Sequence, residues 1–261
     1  MKNLINKSFQ IRDFSQAASL LGDPTEDAED QYLEHLSPAQ RYSDESLLGK
    51  GALKAVYKCY DHKLKREVAL ARTKPEANPQ YDKKLVYEAW LTSELSHPNI
   101  IKIHDIDTDE EGRPFFTMDL KENYTLTDLV KEGVPLSRRL QIFTSICDSI
   151  AYAHSKQIIH LDLKPDNIQC GSYGEVLVCD WGLAKHVDHS NEQFEALEHL
   201  LDVQDQTLYG TIKGTLGYLS PEQVRPDTPI DHHADLYALG CLLYYLLTDC
   251  LLYTSPSPRD A

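Results

Sequence analysis

His160-Leu161-Asp162-Leu163-Lys164-Pro165-Asp166-Asn167, followed by Asp180-Trp181-Gly182, is the stretch on which the reading of this chain turns. Asp162 supplies a carboxylate, Lys164 an ammonium two residues on, and Asn167 an amide oxygen three beyond that. Asp180 adds a second carboxylate at the head of the next loop. Phosphoryl transfer uses this set: a carboxylate that orients the attacking hydroxyl, and two hard oxygen ligands for magnesium. Asp, Asn and Pro are also ordinary turn formers, but four matches at one spacing leave that reading little weight.

Further along, Ser220-Pro221-Glu222 stands where an activation segment would end. With these motifs the chain resembles a protein kinase of the Ser/Thr type, of bacterial character, over about 42–249. The resemblance implies an α+β, two-lobed fold: a small β-rich N-lobe over about 42–120 and a helical C-lobe over about 121–249 that lacks its last helices. It implies ATP and Mg2+ as cofactors, Asp162 as the catalytic base, and Lys164 as the group neutralising the transferring phosphoryl. Asn167 and Asp180 are then the metal ligands, and Thr215 contacts Asp162 and Lys164. Asp235 is expected to anchor the catalytic-loop backbone. Glu222 normally pairs with an arginine further along. Around the adenine the resemblance places Val56 and Ala69, with Met118 at the back and Asp119 and Lys121 offering backbone groups at the hinge.

The departures from that pattern are as informative as the matches. Gly49-Lys50-Gly51-Ala52-Leu53-Lys54-Ala55-Val56 has two glycines that let backbone approach phosphates, but Lys54 stands where a third is usual. In Val68-Ala69-Leu70-Ala71, Ala71 occupies the place of the lysine that holds the nucleotide phosphates. Arg72 is a poor substitute, because side chains alternate along a strand and it points away from the face shared by Ala69 and Ala71. Lys54 lies two residues before Val56, so it faces the same cleft with a side chain long enough to reach phosphates. This is similar to the with-no-lysine kinases, whose Gly-x-Gly-x-x-Lys-x-Val loop carries the displaced amine. Glu88, by its distance from His97, is the expected partner carboxylate. The opposing reading makes Lys54 a solvent-exposed strand lysine in an inactive kinase. Leu161 replaces an arginine that commonly reads a phosphate on the activation segment, which puts that mode of control in doubt. Trp181 replaces a phenylalanine and is expected to pack beneath the regulatory helix.

The remaining pattern agrees with two lobes. Residues 47–51, 55–60, 66–71, 100–107 and 115–120 read as strands, and 81–95 as a helix ending before His97-Pro98-Asn99. The spacing predicts a long helix over 136–154, with apolar residues at 140, 143, 146, 147 and 150. A second, over 236–247, is apolar on nearly all sides, as a central buried helix is. Sheet first and helices after indicate α+β. The activation segment, 183–220, is long and carries an acidic, partly helical insert over 192–205.

Bulk properties bound the function. The chain has 261 residues, 41% of them apolar, enough for a sizeable core. A net charge of −15 with no basic stripe argues against nucleic-acid or anionic-membrane binding and favours partners with basic patches. Six cysteines with no Cys-x-x-Cys pair read as reduced thiols, and no segment is long and apolar enough for a signal peptide or a membrane span. A cytoplasmic protein is expected, open to anchoring through a region beyond this chain. Residues 1–41 form an N-terminal extension, partly disordered or helical, with an acidic run over 23–30 that reads as a solvated linker. Residues 250–261, from Cys250-Leu251-Leu252-Tyr253 onward, are identified as the translation of a transposase sequencing adapter, which implies a domain cut short. The expected activity is transfer of the ATP γ-phosphate to Ser/Thr hydroxyls of a protein substrate. The alternative is a pseudokinase that serves as a nucleotide-binding or protein-interaction module.

Overall fold

Three antiparallel strands open the described fold: β1 (Tyr42–Lys50), β2 (Lys54–Asp61) and β3 (Arg66–Thr73), and on β3 Val68 and Leu70 face one apolar cluster while Ala71 faces another. The computed structural model describes residues 38–51, 54–75, 77–78, 80–120, 124–187, 215, 217–225 and 228–252. The expectations for 1–37, for the insert over 192–205, for Lys121 and for 253–261 lie outside the described residues. Two further strands, β4 (Ile103–Thr108) and β5 (Pro114–Asp119), complete a five-stranded sheet in the order β1-β2-β3-β5-β4. A short helix, α1 (Pro38–Arg41), leads into it. Its Arg41 pairs with Asp61 at 3.0 Å and also with Asp105. These pairs tie the start of the sheet to β2 and β4.

One helix lies against this sheet, α2 (Gln80–Ser93), close to the expected 81–95. Leu85 and Ala89 pack on Ala71 and Phe116, which face each other across the β3–β5 pair. Ala71 is 0% exposed. The position where the resemblance calls for a lysine is therefore filled core, with Phe116 taking the volume a long side chain would need.

Below the sheet the chain is helical. The capping box of Thr125 and Asp128 starts α3 (Leu126–Lys131). The long helix α4 (Leu136–Ser155) and α5 (His233–Thr248) carry the main core, with the small pairs β6 (Ile158–Ile159)/β9 (Lys185–His186) and β7 (Ile168–Cys170)/β8 (Val176–Val178). The inward face of α4 agrees with the expected one at Ile146 and Ile150, with Phe143 and Cys147 packed beside them, and differs at Leu140. Ile142, Ile146, Ile150 and Ala153 are buried, whereas Leu140 is exposed. Arg139 takes the inward place because its donors find partners there: it donates to the Val134 and Leu246 carbonyls and pairs with Asp249. It thereby satisfies a carbonyl in the last turn of α5 that has no intrahelical donor. The expectation that α5 is buried all round also needs correction, since Leu236 and Leu247 are exposed. No helix among the described residues is long and apolar enough to cross a membrane.

Asp235, in the first turn of α5, joins the helical core to the functional loop. It is 1% exposed and accepts hydrogen bonds from the His160 and Leu161 N–H groups at 2.8 and 2.9 Å and from His154 Nε2 at 2.8 Å. Burial alone would raise its pKa, but these bonds outweigh burial and hold it below the usual carboxylate value. A depressed native pKa contributes stability that is present above the unfolded value of about 4. That stability is lost as pH falls through the lower native value. Asp235→Asn is expected to cost about 3 kcal/mol at pH 7 and to flatten the acid side of the stability–pH curve, read by urea unfolding in steps from pH 7 to about pH 2. A second expectation comes from the packing at Ala71. Ala71→Lys should lower stability by about 3 kcal/mol through overpacking and burial of an amine, in the same urea assay. A change under roughly 0.5 kcal/mol would contradict that packing.

Candidate active site

Lys54 is the first residue of β2, opposite Thr73 of β3 and two residues before Val56. The turn that delivers it is closed by the Gly51 N–H donating to the Lys54 carbonyl at 2.8 Å. From there the Lys54 ammonium pairs with Glu88 of α2 and donates to Asp180 Oδ1 at 3.0 Å. It also lies 5.9 Å from the centroid of the Phe116 ring, an attractive arrangement for a cation. Burial works against the charged amine, but the Glu88 and Asp180 carboxylates outweigh it and hold the Lys54 pKa above its ordinary value. For Asp180 the Lys54 charge is the largest influence and its pKa is lowered; for Glu88 burial dominates and its pKa is raised. Arg72 points to the other face, paired with Glu45 at 2.7 Å and stacked over Tyr57.

The loop from His160 to Asn167 converges on Asp162. Lys164 Nζ donates to Asp162 Oδ2 at 2.7 Å and to Thr215 Oγ1 at 3.0 Å. Thr215 Oγ1 in turn donates to Asp162 Oδ1 at 3.3 Å. Asn167 Nδ2 donates to the Asp162 carbonyl at 2.8 Å and to Oδ2 at 3.1 Å. The Asn167 nitrogen is thus spent within the loop, which leaves its amide oxygen as the donor atom for a cation. That oxygen and the Asp180 carboxylate are hard ligands, the chemistry Mg2+ prefers.

Two of the five non-glycine residues with positive φ among the described residues lie here. Leu161 and Asp180 both hold positive φ, 65° and 59°, in the left-handed region that non-glycine residues avoid. Asp235 fixes the Leu161 N–H, and Gln223 Nε2 donates to the Leu161 carbonyl at 2.9 Å, so both ends of the peptide are pinned. The Leu161 side chain packs with Ile159, Ala234, Leu183, Val187 and Ile230, an apolar cluster that offers nothing to a phosphate. His160 Nδ1 accepts from the Asp162 N–H at 3.2 Å, leaving Nε2 to donate to the Cys179 carbonyl at 3.2 Å. Trp181 is 1% exposed, stacks near His160 with centroids 4.5 Å apart, and shares the core with Tyr87 and Leu91 of α2. A Cβ on Gly182 would come within 3.2 Å of Glu88 Oε2, so glycine permits this loop to approach α2.

Between these groups and the sheet lies a cleft of about 520 Å3, lined by Gly49, Gly51, Lys54, Val56, Ala69, Glu88, Met118, Asp119, Asn167 and Asp180 among others. It is of a size that takes a small-molecule ligand. Ten of the sequence-predicted site residues thus share one cleft, while Asp162, Lys164 and Thr215 form the adjoining cluster. Several lining residues were missed by sequence reasoning: Leu48, Ile103, Phe116, Asp166, Gln169 and Cys179. Cys179 was within reach, since it directly precedes Asp180. Gln169 alternates with Ile168 and Cys170 on β7, so its strand period was a usable signal.

Comparison with known proteins agrees with this geometry. The family model described as "Protein kinase domain" matches residues 42–260. The serine/threonine-protein kinase PknD of Protochlamydia amoebophila is 37% identical over 221 residues, covering 77% of this chain and 22% of that protein. The PknD of Chlamydia caviae is 36% identical, with 80% and 24% covered, and that of Chlamydia trachomatis serovar L2b is 34% identical, with 84% and 26% covered. The chain spans about a quarter of the length of these curated relatives. The motif spacing, the two-lobed α+β architecture with its cleft, and the family match agree: this chain belongs to the protein kinase family.

Proposed function

We propose that this domain transfers the γ-phosphoryl group of ATP to serine or threonine hydroxyls of a protein, with the phosphate-binding amine supplied by Lys54. The observation that carries the proposal is the convergence of Lys54 with Glu88 and Asp180 on the cleft, beside the Asp162–Lys164–Thr215 cluster. Asp162 accepts the substrate hydroxyl in a hydrogen bond and aims its oxygen at phosphorus. Lys164 offsets charge on the transferring phosphoryl. Lys54, held by Glu88, binds phosphate oxygens. Asn167 and Asp180 would hold Mg2+, which would offset phosphate charge when bound. Val56, Ala69 and Met118 supply apolar walls suited to the adenine ring, and Asp119 lies at the edge of the same cleft. The net charge of −15 favours basic protein substrates.

The named PknD relatives are serine/threonine-protein kinases, which supports the same reading. In the full-length protein, phosphate transfer from ATP to a histone mixture should fall on the order of a thousandfold or more in Lys54→Ala and in Asp162→Ala. Equal rates for wild type and Lys54→Ala would overturn the role of Lys54. ATP binding by wild type with no transfer would favour the nucleotide-binding module instead.

A further inference from the structure

Lys54 and Thr73 are directly opposed in the β2–β3 register, and side chains so opposed share one face of a sheet. Both reach the same helix. Lys54 pairs with Glu88, and Thr73 Oγ1 donates to Asp82 Oδ1 at 2.5 Å. Thr73 is 6% exposed and the bond itself is part-buried. Asp82 and Glu88 are six residues apart on α2. At 1.5 Å and 100° per residue they lie about 9 Å apart along the axis and about 120° apart around it. Two anchors so placed oppose both sliding and rotation of the helix.

The rest of the contact between α2 and the sheet is apolar. Leu85 and Ala89 rest on Ala71 and Phe116. Such packing is strong but non-directional, whereas a hydrogen bond constrains distance and angle. The amine of this site comes from β2, while the strand that pairs with it, β3, presents only a methyl group at Ala71. Thr73 is then a side chain through which β3 itself holds α2 by a directed bond. We infer that Thr73 and Asp82 are positioning residues: their hydrogen bond sets the depth and rotation of α2 at which Glu88 meets Lys54. The inference rests on the proposed role of Lys54.

The test uses the full-length protein, with ATP and a histone mixture as substrates. Thr73→Val removes the donor and keeps the side-chain shape. It is expected to lower kcat about 10- to 100-fold, the scale of a misplaced catalytic group, with KM for ATP within about threefold. Thr73→Ser restores the donor and should return kcat to within about threefold of wild type. In a Glu88→Gln background, adding Thr73→Val should lower kcat by no more than about twofold, because both changes act through one pair. Thr73→Val at the wild-type rate, or a full additional loss in the Glu88→Gln background, would overturn the inference. A wild-type rate for Lys54→Ala would instead overturn the reading on which it rests. An inactive Lys54→Ala beside a fully active Thr73→Val would sink the positioning role alone.

Discussion

One amine between two carboxylates organises this site. Lys54 joins the sheet to α2 through Glu88 and to the lower lobe through Asp180. Apolar packing also joins these elements, Leu85 and Ala89 on the sheet and Trp181 against α2, and the shared ammonium adds the charged contact common to all three. The three charges are partly withdrawn from water, which strengthens their attraction but makes any one of them costly to leave alone. Substrate phosphates entering the cleft would compete for the same amine. The resting structure thus keeps Lys54 charged and oriented by groups that a nucleotide can partly replace.

Placing the amine on β2 changes what the neighbouring strand must do. Ala71 and Phe116 close the core under α2, and the Phe116 ring lies beneath the Lys54 ammonium. The space at Ala71 on β3 is thus occupied, so the absence of a lysine there is matched by the residues packed around it. A comparable exchange occurs at Leu161. Its side chain joins an apolar cluster with Leu183, Val187 and Ile230, while its strained backbone is pinned by Asp235 and Gln223. Leu183 and Val187 are therefore seated against Leu161 by hydrophobic contact, where an arginine would present a charge.

Much of this was legible in residue order because it is local. The loop from His160 to Asn167 carries its chemistry at fixed offsets, and strand alternation alone puts Lys54 and Val56 on one face and turns Arg72 to the other. Glu88 was reachable by spacing from His97. What was not legible depends on contacts distant in sequence. The inward turn of Arg139 requires the Leu246 carbonyl and Asp249, both on the far side of the chain, so periodicity favoured Leu140. The bond from Thr73 to Asp82 needs the strand register and the helix placement at once. Phe116 enters the site only because β5 lies beside β3 rather than beside its neighbour in sequence alone.

The central claim is that the phosphate-binding amine belongs to Lys54. A crystal structure of the full-length protein with Mg2+ and a non-hydrolysable ATP analogue tests it most directly. The account predicts Lys54 Nζ within hydrogen-bond distance, about 3 Å, of an α- or β-phosphate oxygen, with Glu88 still its partner and Ala71 still buried against Phe116. Phosphates bound by Arg72 or by no lysine at all, with Lys54 turned to solvent, would contradict it.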